Sequence, residues 1–145
     1  MDYMKYLSLF LLLTVASITA SAQQADAILG KWVNSSGEAH IEIYKKDAKY
    51  FGKIVWVKAP NDEKGNPKKD VKNPDANLRT RPILGMEMLR DFVFSDGKWT
   101  DGKIYDPKSG KTYSCNMNLK SNGDLSMRGY IGISLIGRTE VWKKV

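Results

Sequence analysis

Three hairpin-type dipeptides, Asp96-Gly97, Ser109-Gly110 and Asn122-Gly123, punctuate the C-terminal half of this 145-residue chain, with their glycines 13 residues apart. Each interval accommodates one strand and one tight turn, because two-residue connections rich in Asp, Asn and Gly match the twist of antiparallel neighbours. The residues between the dipeptides do not repeat, and the period is shorter than that of solenoid units. The pattern therefore predicts a meander of antiparallel strands rather than a repeat array.

Alternation inside the intervals supports the same reading. In the segment 113–119, Tyr113, Cys115, Met117 and Leu119 share one face while Ser114, Asn116 and Asn118 share the other. Leu125, Met127, Gly129 and Ile131 continue the apolar phase against Ser126, Arg128 and Tyr130. In the N-terminal half, Ile41 and Ile43 alternate with His40, Glu42 and Tyr44, and Tyr50, Gly52, Ile54 and Trp56 oppose Phe51, Lys53, Val55 and Val57. A period of two marks strands with one buried face, and beyond residue 22 no stretch keeps helical spacing over three turns. Strands are expected near 29–34, 38–46, 49–58, 84–95, 98–105, 111–120, 124–132 and 135–144. The expected fold is all-β, a small antiparallel up-and-down barrel of about eight strands, since closure removes exposed edges and such a barrel can hold one small ligand. An outer-membrane barrel would need an apolar outward band, and here Ser, Asn and Lys occupy it.

The N-terminus reads differently. Lys5 precedes the apolar run Leu7–Ala16, and small residues lead to Ala20-Ser21-Ala22. This is the order of a secretory leader, so residues 1–22 are expected to be removed and residues 23–145 to form a single domain. The apolar run is too short for a bilayer span, which needs about 20 residues, and polar Ser17, Thr19 and Ser21 interrupt its continuation. No Cys follows the cleavage site to accept a lipid, so the expected product is released, periplasmic or extracellular, with no transmembrane segment after cleavage.

Cys115 is the sole cysteine, which excludes an intramolecular disulfide and a cluster of thiolate ligands. With Lys5 and Asp2 both in the leader, 22 Lys and Arg remain against 15 Asp and Glu, from 23 and 16 in the whole chain, so the mature net charge stays at +7. Such a balance favours association with anionic surfaces without naming a partner.

One connection breaks the rule of short turns. From Lys58 to Arg81 the chain carries three of its five prolines and many lysines, and Pro82 follows. Long connections of this kind are either functional or solvated. A solvated, mobile surface loop is the expected form, with a single helical turn at Asn73–Leu78 capped by Asn73.

Catalytic constellations are not evident. His40 is the only histidine, on the face opposite the isoleucines, and Cys115 sits in an inward phase that favours an inert thiol. Asp91, Asp96, Asp101, Asp106 and Asp124 lie near turns, as turn-forming residues do. No calcium-loop spacing or phosphate-binding glycine loop is present, so neither a metal nor a cofactor is expected. Nine lysines with interleaved Tyr50, Phe51 and Trp56 fall between Lys45 and Lys72, but export argues against a nucleic-acid partner.

Gly30-Lys31-Trp32, Lys72-Asn73-Pro74-Asp75, Leu78-Arg79, Arg81-Pro82, Gly102–Pro107, Ser109–Tyr113, Arg128–Gly132, Gly137-Arg138-Thr139 and Trp142 together resemble the bacterial family catalogued as domain of unknown function 2147. The resemblance spans essentially the whole chain after the leader. It implies a small exported protein with a lipocalin-like or streptavidin-like barrel and carries no established activity. A broader resemblance, to the lipocalin and fatty-acid-binding barrels, rests on Gly30-x-Trp32 and Arg138, and implies that Arg138 covers Trp32 and closes one end of the barrel.

The resulting expectation is a non-enzymatic barrel that binds a small, partly apolar or amphipathic molecule, with Ile54, Trp56, Tyr113, Met117 and Met127 as wall residues. The alternative is an envelope-interaction protein that binds anionic lipid or polysaccharide through loop 58–81, using Lys64, Lys68, Lys69 and Lys72.

Overall fold

The alternating segments pair in order around a closed barrel. A computed structural model describes residues 20–133 and 136–145. Its strands are β1 (Gly30–Val33), β2 (Ala39–Lys46), β3 (Lys49–Val57), β4 (Glu87–Ser95), β5 (Lys98–Asp106), β6 (Lys111–Leu119), β7 (Leu125–Tyr130) and β8 (Gly137–Lys144). Each pairs antiparallel with its sequence neighbour, and β1 closes on β8 through Trp32 opposite Lys144 and Val33 opposite Lys143. Every pairing that closes the barrel comes from residues 30–144. The eight expected strands are all present, with boundaries displaced by three residues at most. The expected leader falls outside the described residues apart from Ala20–Ala22, and residues 20–25 are helical.

An up-and-down order divides the connections between two ends. The turns β2–β3, β4–β5 and β6–β7 lie at one end together with the segment that precedes β1. The connections β1–β2, β3–β4, β5–β6 and β7–β8 lie at the other.

The first end is sealed. Ile28 is fully buried there, in a short 3-10 turn (Asp26–Ile28), packed with Trp32, Ile43, Tyr50, Trp99 and Leu125. Burying backbone leaves carbonyls that need donors, and five side chains supply donors to this segment. The Trp32 indole N–H donates to Ile28 O at 2.8 Å, the Trp99 indole N–H to Ala25 O at 3.0 Å, and Lys144 Nζ to Leu29 O at 2.7 Å. The Tyr50 hydroxyl donates to Asp26 Oδ1 at 2.6 Å, and Lys45 Nζ lies 3.2 Å from the same oxygen. Segment 25–29 is therefore a fitted plug, which the sequence reading did not anticipate.

The expected closure of this end by Arg138 is corrected by the structure. Lys144 Nζ stands 4.6 Å from the centre of the Trp32 ring, and the absent Cβ of Gly30 leaves room for it. Arg138 pairs with Gly129 near the opposite end, with its side chain 84% exposed. The reason is strand direction: six residues of extended chain separate Arg138 from Lys144, about 20 Å at 3.3 Å per residue.

The long β3–β4 connection is also not the free loop expected. Asp70 is fully buried and accepts from the Tyr105 hydroxyl at 2.6 Å, Asn73 Nδ2 at 2.8 Å and Arg81 Nε at 2.9 Å. Lys72 Nζ donates to Lys108 O at 2.7 Å, and Gly110, at φ +74°, lets Lys72 O approach where a Cβ would collide. The loop is thereby clamped onto the β5–β6 hairpin. Its helical turn is a 3-10 turn at Ala76–Leu78 capped by Asp75, because Asn73 Oδ1 already accepts from Asp75 N–H and Asn73 Nδ2 donates to Asp70.

Candidate ligand-binding site

The second end opens into a cavity of about 1760 Å³ that reaches into the barrel. Its deep walls are apolar: Ile41 from β2, Ile54 from β3, Met88 from β4, Ile104 from β5, Tyr113 and Cys115 from β6, and Met127 from β7. Alternation positions these residues, since each strand turns every second side chain inward. Trp142 forms part of the wall from β8.

Three of the five expected wall residues, Ile54, Tyr113 and Met127, line this cavity. Met117 is buried in the sealed half instead, opposite Trp99 and Met127. Trp56 is on the outside, 43% exposed and packed at a tilt against His40 with ring centroids 4.4 Å apart. A bulge explains it. His40 pairs with Trp56 and Ile41 with Ile54, so Val55 is an extra residue on β3. One inserted residue flips the inward phase, turning Trp56 out and bringing Val57 to the cavity.

The cavity also holds a charged group that sequence reasoning missed. Glu140 lies on the inward phase of β8, two residues from Trp142, whose indole N–H donates to its Oε2 at 3.4 Å. Arg138 Nη2 is 3.7 Å from Glu140 Oε1, on the same wall and nearer the mouth. The period-two spacing of Arg138, Glu140 and Trp142 was the available signal.

At the mouth, the β3–β4 loop contributes Lys68 and Lys69 to the cavity lining, together with Val71 and Ile83. Lys64 and Lys72 lie elsewhere: Lys64 is exposed on a turn, and Lys72 is held by Lys108. Two of the four expected loop lysines thus belong to the same opening as the barrel wall. Members of the two sets singled out as rival sites, Ile54, Tyr113 and Met127 with Lys68 and Lys69, meet in one cavity.

Reactive groups are sparse. Burial pushes the Cys115 thiol up to about 12, with the nearby Glu140 carboxylate adding to the shift, so the sulfur stays protonated at neutral pH. His40 is outside, against Trp56. Among the described residues, no group of three or more His, Cys, Asp and Glu is placed to hold a metal ion, and no helix is long and apolar enough to cross a membrane.

Comparison with known proteins agrees with this architecture. Among solved structures, protein HP1028 from the human pathogen Helicobacter pylori, described as belonging to the lipocalin family, shares 28% sequence identity with this chain. The TM-score is 0.64, over 74% of this chain and 72% of that one. No curated protein matches. Residues 30–144, from the first residue of β1 to the last of β8, match the family described as an uncharacterized protein conserved in bacteria, DUF2147. The chain belongs to that family, and its barrel is lipocalin-like.

Proposed function

We propose that this barrel is a non-enzymatic carrier that binds one small, partly apolar molecule through its open end. The observation that carries the reading is the cavity itself, sealed below by the 25–29 plug and open above. Its volume of about 1760 Å³ exceeds the roughly 300–1,000 Å³ of pockets that hold drug-sized ligands. The apolar part of the ligand packs between Ile41, Ile54, Ile104 and Met127. A polar part faces Glu140 and Arg138, which offer an acceptor and a donor on one wall. The resemblance to a lipocalin supports this class of function, as does the inertness of Cys115. Export follows as part of the same proposal, with residues 1–22 as the leader and the periplasm or the cell exterior as the site of action.

Native mass spectrometry of protein recovered from the periplasm tests the reading. A bound mass that disappears on denaturation identifies the cargo, and its absence counts against a carrier. Displacement of a hydrophobic fluorescent probe adds a second readout. Ile54→Trp fills the cavity and is expected to weaken the probe by at least about tenfold, the equivalent of about 1.4 kcal/mol, while thermal unfolding shows that the barrel persists. Unchanged probe affinity in Ile54→Trp would place the probe outside the barrel.

A further inference from the structure

Single exposed apolar side chains are ordinary on soluble proteins, but clusters beside unpaired charge are not. Ile131, Ile133 and Ile136 are 66%, 59% and 71% exposed, and all three lie on the connection between β7 and β8. Val71, 66% exposed on the β3–β4 loop, lines the same cavity mouth as Ile131 and Ile136. Folding has left these side chains in water at the one end of the barrel that is open.

Charged residues surround them. Lys58, Lys68, Lys69, Lys108 and Arg138 line the same opening, together with Glu38, Asp62, Asp106 and Glu140. Lys108 pairs with Glu38, and Arg138 with Glu140. Among the described residues, no carboxylate lies within ion-pair distance of Lys58, Lys68 or Lys69. The opening therefore combines an apolar tip with three lysines held in no ion pair, on a chain whose net charge is +7. An anionic bilayer satisfies both at once: its headgroups neutralise lysines, and the acyl boundary just beneath accepts isoleucine side chains. A purely polar anionic surface, such as a polysaccharide, would leave the isoleucines in water.

We propose that the open end of the barrel docks on anionic phospholipid membranes, with the isoleucines of the β7–β8 connection inserted and Lys58, Lys68 and Lys69 among the headgroups. This reading goes beyond the carrier function and does not need the cavity to be occupied. It would set the mouth of the barrel directly against the lipid.

The test uses the chain from Ala20 onward, which contains every described residue and the complete barrel. It is sedimented with vesicles of phosphatidylcholine, with and without phosphatidylglycerol. Binding is expected only where phosphatidylglycerol is present, and it should weaken with added salt. Replacing Lys58, Lys68 and Lys69 with Gln should cost about fivefold per lysine, and Ile131→Ser with Ile133→Ser and Ile136→Ser at least about tenfold. In Ile133→Trp, the tryptophan emission should shift to the blue on anionic vesicles and stay unchanged with dextran sulfate. Absent vesicle binding overturns the proposal. So does binding that survives the isoleucine substitutions with no shift in Ile133→Trp, since that would be charge attraction without insertion. Either failure leaves the cavity reading untouched, because probe displacement is measured without lipid.

Discussion

At the residue scale, the most informative side chain is Lys144, whose ammonium group sits over an indole, partly shielded although the residue is exposed. Burial lowers its affinity for a proton, yet it is held by Leu29 O at 2.7 Å and by the Trp32 ring at 4.6 Å. A cation over the face of a tryptophan contributes about 0.5–1 kcal/mol at exposed sites and more when desolvated. The expected coupling between Trp32→Phe and Lys144→Met in a double-mutant cycle is therefore about 1 kcal/mol by chemical denaturation. Trp32→Phe with Arg138→Met should add with no coupling beyond about 0.3–0.5 kcal/mol. A larger coupling to Arg138 would restore the closure expected from Gly30-x-Trp32. The motif pointed to a capped tryptophan, and the structure changed the identity of the cap.

At the element scale, the β3–β4 loop shows how one buried carboxylate can order a lysine-rich segment. Burial by itself would raise the Asp70 carboxyl, but hydrogen bonds from Tyr105, Asn73 and Arg81 outweigh it and hold the group below its ordinary value of 3.8. The same contact raises the Tyr105 hydroxyl, after burial, to about 12. Because the folded carboxyl is the stronger acid, its contribution is complete above the unfolded value and is lost as pH falls through the folded one. Asp26 adds to this, lowered first by the Tyr50 hydroxyl and then by Lys45. Asp70→Asn should cost about 2 kcal/mol at neutral pH. Its unfolding free energy should also depend less on pH below about 4 than that of the parent chain. Equal acid sensitivity in the two proteins would show that the clamp does not depend on the Asp70 charge. The composition of loop 58–81 suggested solvent on every side. It gave no sign of the clamp because the partner that ties Asp70 to the barrel, Tyr105, lies 35 residues away, on another element.

At the scale of the whole molecule, the barrel has one plugged end and one open end, and the plug is expected to belong to the folding unit. A chain beginning at Gly30 keeps all eight strands but loses the burial of Ile28 and the acceptors of Trp32, Trp99, Tyr50 and Lys144. It should be less stable than a chain beginning at Gln23 by at least about 3 kcal/mol in denaturant unfolding. Equal stability would mean that the plug only rests on the barrel.

Local spacing determined much of this architecture. Period-two alternation and the turn dipeptides fixed the strands, their order and the inward phase of Tyr113, Cys115, Met117 and Met127, because pleat and turn geometry are properties of adjacent residues. Strand parity alone even implied that the lysine-rich loop and the β7–β8 tip share an end. Tertiary structure decided the rest. The extra residue at Val55 turned Trp56 outward, Lys144 rather than Arg138 met Trp32, and Glu140 came to lie in the wall of the cavity. Each of these depends on register or on contact between residues distant in the chain, and a strand's own sequence does not specify which neighbour its side chains will meet.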